Sequence, residues 1–262
     1  MPKLAANLTM TFGEVPFLDR FKAAADAGFD AVEYLFPYDH EAQLLKSRLR
    51  DHGLAQVLHN LPAGNWGAGE RGIACLPDRV DEFKAGVDKA IEYATTLECP
   101  RVNCLAGLVP PAVDANVARD TFVRNLAFAA PRLKAAGIKL LIEPINTRDM
   151  PLFFLTGTRQ AVEVIEAVGS DNLFVQFDIY HMRMMEEPLA ETIERHLPRI
   201  AHMQLADVPG RHEPGTGQID FDSLFGVIDR AGYSGWIGCE YIPKDGTVEG
   251  LQWATRYLGV ER

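Results

Sequence analysis

Long hydrophobic runs are missing from this chain. No stretch reaches the ~18 consecutive apolar residues that a membrane-spanning helix needs, so no such span is expected. Cysteine is scarce as well: Cys75, Cys99, Cys104 and Cys239 show no C-x-x-C spacing. That pattern argues against a disulfide frame or a zinc knuckle and predicts reduced core residues of a cytosolic protein. Positive charge is in deficit, with 26 Lys and Arg against 36 Asp and Glu and a net charge of −10. Broad binding to nucleic acid or a membrane surface is therefore not expected, and an anionic substrate would need locally placed Arg or Lys. No Pro/Ser-rich linker divides the 262 residues, which predicts one domain over 1–262. The opening MPKLAANLTM has one Lys and no apolar core, so no signal peptide is expected. The glycines of GTG (215–217) lack the spacing and the following Lys-Ser/Thr pair of a phosphate-binding loop.

What is present is a large apolar fraction, 47%, arranged in short runs. The run Ile138, Leu140, Leu141, Ile142 is entered through Ala136–Gly137 and broken by Glu143 and Pro144. It reads as a strand buried on both faces, the kind found in a parallel sheet covered by helices. Small-residue–Gly junctions followed by apolar strands recur as AGFDAVEYL (27–35), HGLAQVLHNL (52–61), AGIKLLIEPIN (136–146) and AGYSGWIGCEYI (231–242). Gly just past a helix closes it in the left-handed conformation, so each copy marks an α-to-β junction. PRVNCLAG (100–107), NLFVQFDIYH (172–181), PRIAHMQLAD (198–207) and the opening KLAANLTM bring the strand count to eight. Helical patterns follow each strand, starting near Pro16, Asp39, Pro77, Asp114, Thr158, Pro188, Asp220 and Gly246, with Pro131 expected to kink the fourth. Eight β-then-α units in series predict a single (β/α)8 barrel of the TIM class. An open doubly wound sheet is the alternative.

Two βα connections, 61–77 and 207–219, are far longer than the usual two to six residues. Both belong on the C-terminal face of the barrel, where active-site loops lie. Four strands end in a polar residue within an apolar pattern: Glu143, Asp178, Gln204 and Glu240. Adjacent strands are ~4.8 Å apart, so these side chains can converge. Three carboxylates and an amide oxygen make a hard donor set suited to Mg²⁺ or Mn²⁺. The alternative is that each pairs separately with an Arg or Lys at the rim.

The strand-end set IEPIN, FDIYH, MQLAD and CEYIP resembles the xylose-isomerase-like barrel superfamily. HNLPAGNWGAGERGIACLP and QLADVPGRHEPGTGQIDF, within a likeness covering essentially the whole chain, resemble the hydroxypyruvate isomerase family. That resemblance implies a divalent metal held by Glu143, Asp178, Gln204 and Glu240, with Glu143 and Glu240 as the acid–base pair. Many superfamily members carry His at the Gln204 position, which turns the expectation further from Zn²⁺.

The residues also suit the chemistry. An aldehyde–ketone isomerisation of a small hydroxy-oxo acid moves a proton between adjacent carbons through an enediolate, and a tuned carboxylate can shuttle it. His59 and His181 are candidates to hydrogen-bond substrate oxygens, and Arg71 and Arg211, one in each long loop, to clamp the substrate carboxylate. Glu33 is expected to be a buried partner of an Arg or Lys. The leading expectation is conversion of hydroxypyruvate to tartronate semialdehyde. Alternatives are 2-oxo-tetronate isomerisation, ketose 3-epimerisation and non-catalytic binding of a sugar acid. An endonuclease of the endonuclease IV kind would need several zinc ions, many His ligands and a basic groove; seven scattered histidines and a net charge of −10 weigh against it. A homo-oligomer is left open.

Overall fold

A computed structural model of the chain describes residues 1–258. Eight strands run in parallel: β1 (Lys3–Asn7), β2 (Ala31–Glu33), β3 (Ala55–Asn60), β4 (Arg101–Cys104), β5 (Lys139–Ile142), β6 (Leu173–Asp178), β7 (Ile200–Leu205) and β8 (Trp236–Cys239). They pair in sequence order, and β8 returns to β1 to close a barrel. Helices alternate with them: α1 (Arg20–Asp26), α2 (Ala42–Asp51), α3 (Val80–Leu97), α4 (Ala115–Ala135), α5 (Thr158–Val168), α6 (Ile179–Met184), α7 (Leu189–His196), α8 (Phe221–Ala231) and α9 (Thr255–Leu258). The barrel therefore replaces the open-sheet alternative. Gly28, Gly53, Gly137 and Gly232, at the four repeated junctions, all take the left-handed conformation expected of them.

The main core lies between barrel and helices, where residues such as Phe21, Leu45, Phe122 and Ile228 are fully buried. A smaller apolar cluster, Ala5, Ala31, Val57, Leu58 and Leu141, is separate from it. All four cysteines are buried and unpaired. Among the described residues no helix is long and apolar enough to cross a membrane.

Three local expectations are corrected. Glu41, not Asp39, occupies the N-cap position of α2. α4 runs unbroken through Pro131. Proline inside a helix costs ~3 kcal/mol, but α4 buries Phe122, Leu126 and Leu133 completely, at ~1.5–3 kcal/mol each. Packing wins. Finally, α6 follows β6 with no loop, an element the periodicity did not reveal. Asp178 makes this possible: it ends β6 and caps α6, its Oδ1 accepting from Tyr180 N at 2.8 Å.

Candidate active site

Glu143 is the residue after β5, Asp178 the last of β6, and Glu240 the residue after β8. All three are buried, at 4%, 0% and 5% exposure, so their charges cannot be relieved by water. Arg211, from the 207–219 loop, reaches between two of them. Its Nη2 lies 3.5 Å from Asp178 Oδ2 and 3.3 Å from Glu240 Oε2, while the guanidinium covers the Tyr180 ring at 5.0 Å.

One guanidinium cannot neutralise three carboxylates. Burial pushes Glu143 well above the usual carboxylate range, Glu240 and Asp178 push it further, and Arg211 pulls it back. Burial likewise lifts Glu240 to about 8 and Asp178 to about 6, again against Arg211. Burial works against the charge of Arg211, yet Glu240, Asp178 and Glu143 hold its pKa above the ordinary value. A cluster in which Glu240 and Asp178 titrate near neutrality and Glu143 is raised beside them is suited to giving and taking protons.

The loop that delivers Arg211 is folded around a buried carboxylate. Asp207 accepts from the backbone N–H groups of Val208, Gly215, Gly217 and Ile219, at 2.8, 3.0, 2.8 and 3.0 Å. Gly217 is required there, because a Cβ would stand 2.3 Å from Val208 O and 2.6 Å from Asp207 Oδ1. The chain after β8 clamps the same loop, with Ile242 N donating to Arg211 O at 2.8 Å. These bonds hold Arg211 at a left-handed φ of 56°, a conformation costly for a non-glycine residue.

His181, in α6, is buried with Nε2 3.5 Å from Asp178 Oδ2 and Nδ1 2.7 Å from Asn146 Nδ2. Burial, then Arg211, drives its pKa well below the ordinary value. Gln204 is in register with Asp178. Its Oε1 accepts from Gln176 Nε2 at 2.6 Å, and its Nε2 donates to Glu33 Oε1 at 2.7 Å. One lone pair of its oxygen is thus already used.

Three residues have partners other than those expected. His59 lies outside this cluster. The neighbouring Asn60 bonds the Asn103 amide that also holds Glu143, so by strand alternation His59 faces the helix layer. There it bonds Gln56 and packs against Tyr38, under α3, and burial pushes its pKa down to about 3. Arg71 is held within its own loop: its Nη1 donates to Trp66 O and Glu70 O, at 3.0 and 2.8 Å, and its guanidinium covers the Trp66 ring at 4.1 Å. Among the described residues Glu33 pairs with no Arg or Lys. Its partners are His202 Nε2 at 2.6 Å, Gln204 Nε2 at 2.7 Å and Asn7 Nδ2 at 2.9 Å.

Asn60, Asn103, Asn146 and Gln176 were not anticipated. Asn103 Nδ2 donates to Glu143 Oε2 at 2.9 Å and to Asn60 Oδ1 at 3.1 Å. Each of the four interrupts or ends an apolar strand pattern, the same signal that singled out the carboxylates.

The arrangement fits a divalent cation. Asp178 Oδ2 is a buried carboxylate oxygen with no hydrogen-bond partner, and single ligand-capable atoms of Glu143, Asp178 and His181 all lie within 4.8 Å of one another. Buried carboxylate oxygens are hard donors, apt for such an ion.

Fold and site together define a (β/α)8 barrel with a carboxylate centre at the C-terminal ends of its strands. Residues 21–257 match the family described as xylose isomerase-like TIM barrel. Hydroxypyruvate isomerase of Escherichia coli K12 is 50% identical, covering 98% of this chain and 100% of that protein. 2-Oxo-tetronate isomerase of Cupriavidus necator is 49% identical, covering 99% and 100%. A crystal structure described as AP endonuclease, family 2, from Brucella melitensis superposes with a TM-score of 0.96 at 44% identity, covering 98% and 99%. The chain belongs to the xylose isomerase-like TIM-barrel family, in the branch of the hydroxypyruvate and 2-oxo-tetronate isomerases.

Proposed function

We propose that the chain is an aldehyde–ketone isomerase of a small hydroxy-oxo acid, converting hydroxypyruvate to 2-hydroxy-3-oxopropanoate (tartronate semialdehyde). The observation that carries this reading is the cluster of buried Glu143, Asp178 and Glu240, with Arg211 reaching the last two. In the reaction a base removes a proton from C3, the resulting enediolate takes a proton at C2, and the hydroxyl proton moves from O3 to O2. Glu143 and Glu240 are the pair with elevated pKa values needed to take the first proton and deliver the second. Asn103 keeps the Glu143 carboxyl oriented. Arg211 opposes the rise in the Glu240 pKa and presents a cation to the acid substrate.

Glu143, Asp178 and Glu240, with Gln204 as a fourth oxygen donor, would hold a divalent ion, Mg²⁺ or Mn²⁺. Such an ion, when bound, polarises the substrate oxygens and offsets the enediolate charge.

Near-equal identity to the two isomerases supports a second substrate, a four-carbon 2-oxo-tetronate, at the same residues. Steady-state assays on three- and four-carbon hydroxy-oxo acids and on neutral ketoses, with Mg²⁺ or Mn²⁺ and after chelation, test the proposal. The acids should turn over and the ketoses should not; turnover confined to ketoses would refute it. Glu143→Gln and Glu240→Gln should each lower kcat at least ~10²-fold, with the fold retained by circular dichroism.

A further inference from the structure

Asn146, in the segment after β5, has every hydrogen-bonding position of its side chain spoken for. Its Oδ1 accepts from Arg148 N at 3.0 Å and from Asp149 N at 2.8 Å. With the oxygen fixed by two backbone donors, the end facing His181 is the NH₂ group. One of its hydrogens goes to Asp149 Oδ2 at 3.0 Å, and the other points at His181 Nδ1, 2.7 Å away. Asp149 is anchored in turn by the Tyr180 hydroxyl, which donates to its Oδ2 at 2.8 Å.

An amide NH₂ has no lone pair to offer, so it can only donate. His181 Nδ1 must therefore be the bare, accepting nitrogen, and the ring hydrogen must sit on Nε2. That nitrogen is the one turned toward the carboxylates, 3.5 Å from Asp178 Oδ2. A nitrogen carrying hydrogen can neither ligate a metal nor accept a proton.

We propose that Asn146 is a positioning residue that locks His181 as its Nε2–H tautomer, making His181 a hydrogen-bond donor to a substrate oxygen and not a metal ligand or a base. The proximity of Glu143, Asp178 and His181 then describes two oxygen donors beside one N–H. The geometry supports the inference from both ends: Asn146 is fully buried and His181 is 2% exposed, so water cannot replace the bond that sets the tautomer. The part concerning substrate rests on the isomerase reading; the tautomer itself does not.

The test has two arms. In protein labelled with ¹⁵N-histidine, long-range ¹H–¹⁵N correlation spectra distinguish the two tautomers directly, the His181 signals being identified by their loss in His181→Gln. The wild-type ring should show a protonated Nε2 and a bare Nδ1. A protonated Nδ1 overturns the proposal without any variant having to fold. In Asn146→Asp the carboxylate can only accept, so the proton should be drawn to Nδ1; an unchanged tautomer there also overturns it. Asn146→Ala, which merely frees the ring, should give a mixture of both forms.

The second arm is kinetic. Asn146→Asp should lower kcat on hydroxypyruvate at least tenfold while changing KM less. His181→Gln places an amide N–H near the Nε2 position whatever stands at 146, so in that background Asn146→Asp should cost less than threefold more. Equal losses in both backgrounds would mean that Asn146 acts through something other than His181. If no hydroxy-oxo acid is turned over at all, the isomerase reading fails while the spectra still decide the tautomer.

Discussion

Residues 61–77 and 207–219 both leave the C-terminal ends of barrel strands, both are rich in glycine, and each carries one arginine. They spend that arginine differently. In 207–219 the polar support is inside the loop: Asp207 gathers four backbone N–H groups, and the segment after β8 ties down the Arg211 carbonyl. The guanidinium is left to face the carboxylates, with its Nε buried and unpartnered. In 61–77 the carboxylate of the loop, Glu70, is shared: it accepts from Asn65 N and pairs with Arg79 at 2.6 Å, both side chains partly exposed. Such pairs contribute at most about 1 kcal/mol. Glu70 and Asn65 gather one backbone N–H each where Asp207 gathers four, and the carbonyls of Trp66 and Glu70 take up Arg71. The lesson is that an arginine in such a loop faces the strand ends only when its own loop's carbonyls do not take up the guanidinium.

The sharpest way to break this contrast is Arg211→Met. Truncating one partner of a buried, hydrogen-bonded charge pair between protein and bound molecule costs ~2–5 kcal/mol of binding, and ~1.4 kcal/mol is a factor of ten. A loss of roughly 10²–10³ in kcat/KM on hydroxypyruvate is expected; a loss under threefold would remove Arg211 from the site. The same substitution bears on stability. Folded Glu240 has its pKa raised to about 8 and Asp178 to about 6, so the folded state binds more protons than the unfolded one above the ordinary carboxylate range. Stability must then be fully present at low pH, below the unfolded values, and decline as pH rises toward about 8. Thermal midpoints of metal-free protein should fall from pH 5 to pH 8, and more steeply in Arg211→Met, because Arg211 opposes the shift. A midpoint that rises over that range would contradict the site's electrostatics.

A smaller effect is expected from the loop frame itself. Gly217→Ala puts a Cβ against Val208 O and Asp207 Oδ1, which forces 207–219 open and misplaces Arg211. A 1 Å misplacement can cost ~10²-fold, so a drop of roughly 10- to 100-fold in kcat/KM should appear with the barrel still folded. Gly67→Ala is the matched change in the other loop, where the nearest atom is Asn65 Oδ1 at 3.7 Å. It should leave kinetics within about twofold, as for surface changes generally. Similar losses in the two variants would erase the distinction between the loops.

Much of this could be read beforehand, and the physical reason is uniform. Eight strands were visible because parallel strands buried on both faces are apolar runs, and Glu143, Asp178 and Glu240 stood out because charge in such a run is costly. Uncharged polar residues give a weaker version of the same signal, which is why Asn103 and Asn146 escaped notice. His59 was misplaced for a different reason. Its inward or outward direction depends on strand parity, and the β2–β3 pairing shifts register between Val32 and Glu33. Nothing in the local sequence separates Arg71 from Arg211. Their difference lies in what each guanidinium meets, buried carboxylates for Arg211 and its own loop's carbonyls for Arg71, and that is settled only in three dimensions.

Arg71→Met is the mildest of these changes, and it asks whether Arg71 contacts substrate at all. The sequence alone assigned it a carboxylate clamp, which predicts a loss of ~1.5–3 kcal/mol in acid binding. Its position argues for less. Two of its bonds go to backbone carbonyls and its face is taken by Trp66, itself packed on Phe36 at 5.0 Å. A guanidinium so engaged would have to abandon those contacts to reach an acid. The expected outcome is therefore a KM for hydroxypyruvate raised by no more than about threefold, equivalent to less than ~0.7 kcal/mol, with kcat unchanged. Arg71 and Arg211 should also behave additively, because they share no partner. A tenfold or larger rise in KM that spares a neutral aldose would show the loop rearranging to clamp the acid. The double variant would then be non-additive, and the contrast between the loops would hold only before substrate binds.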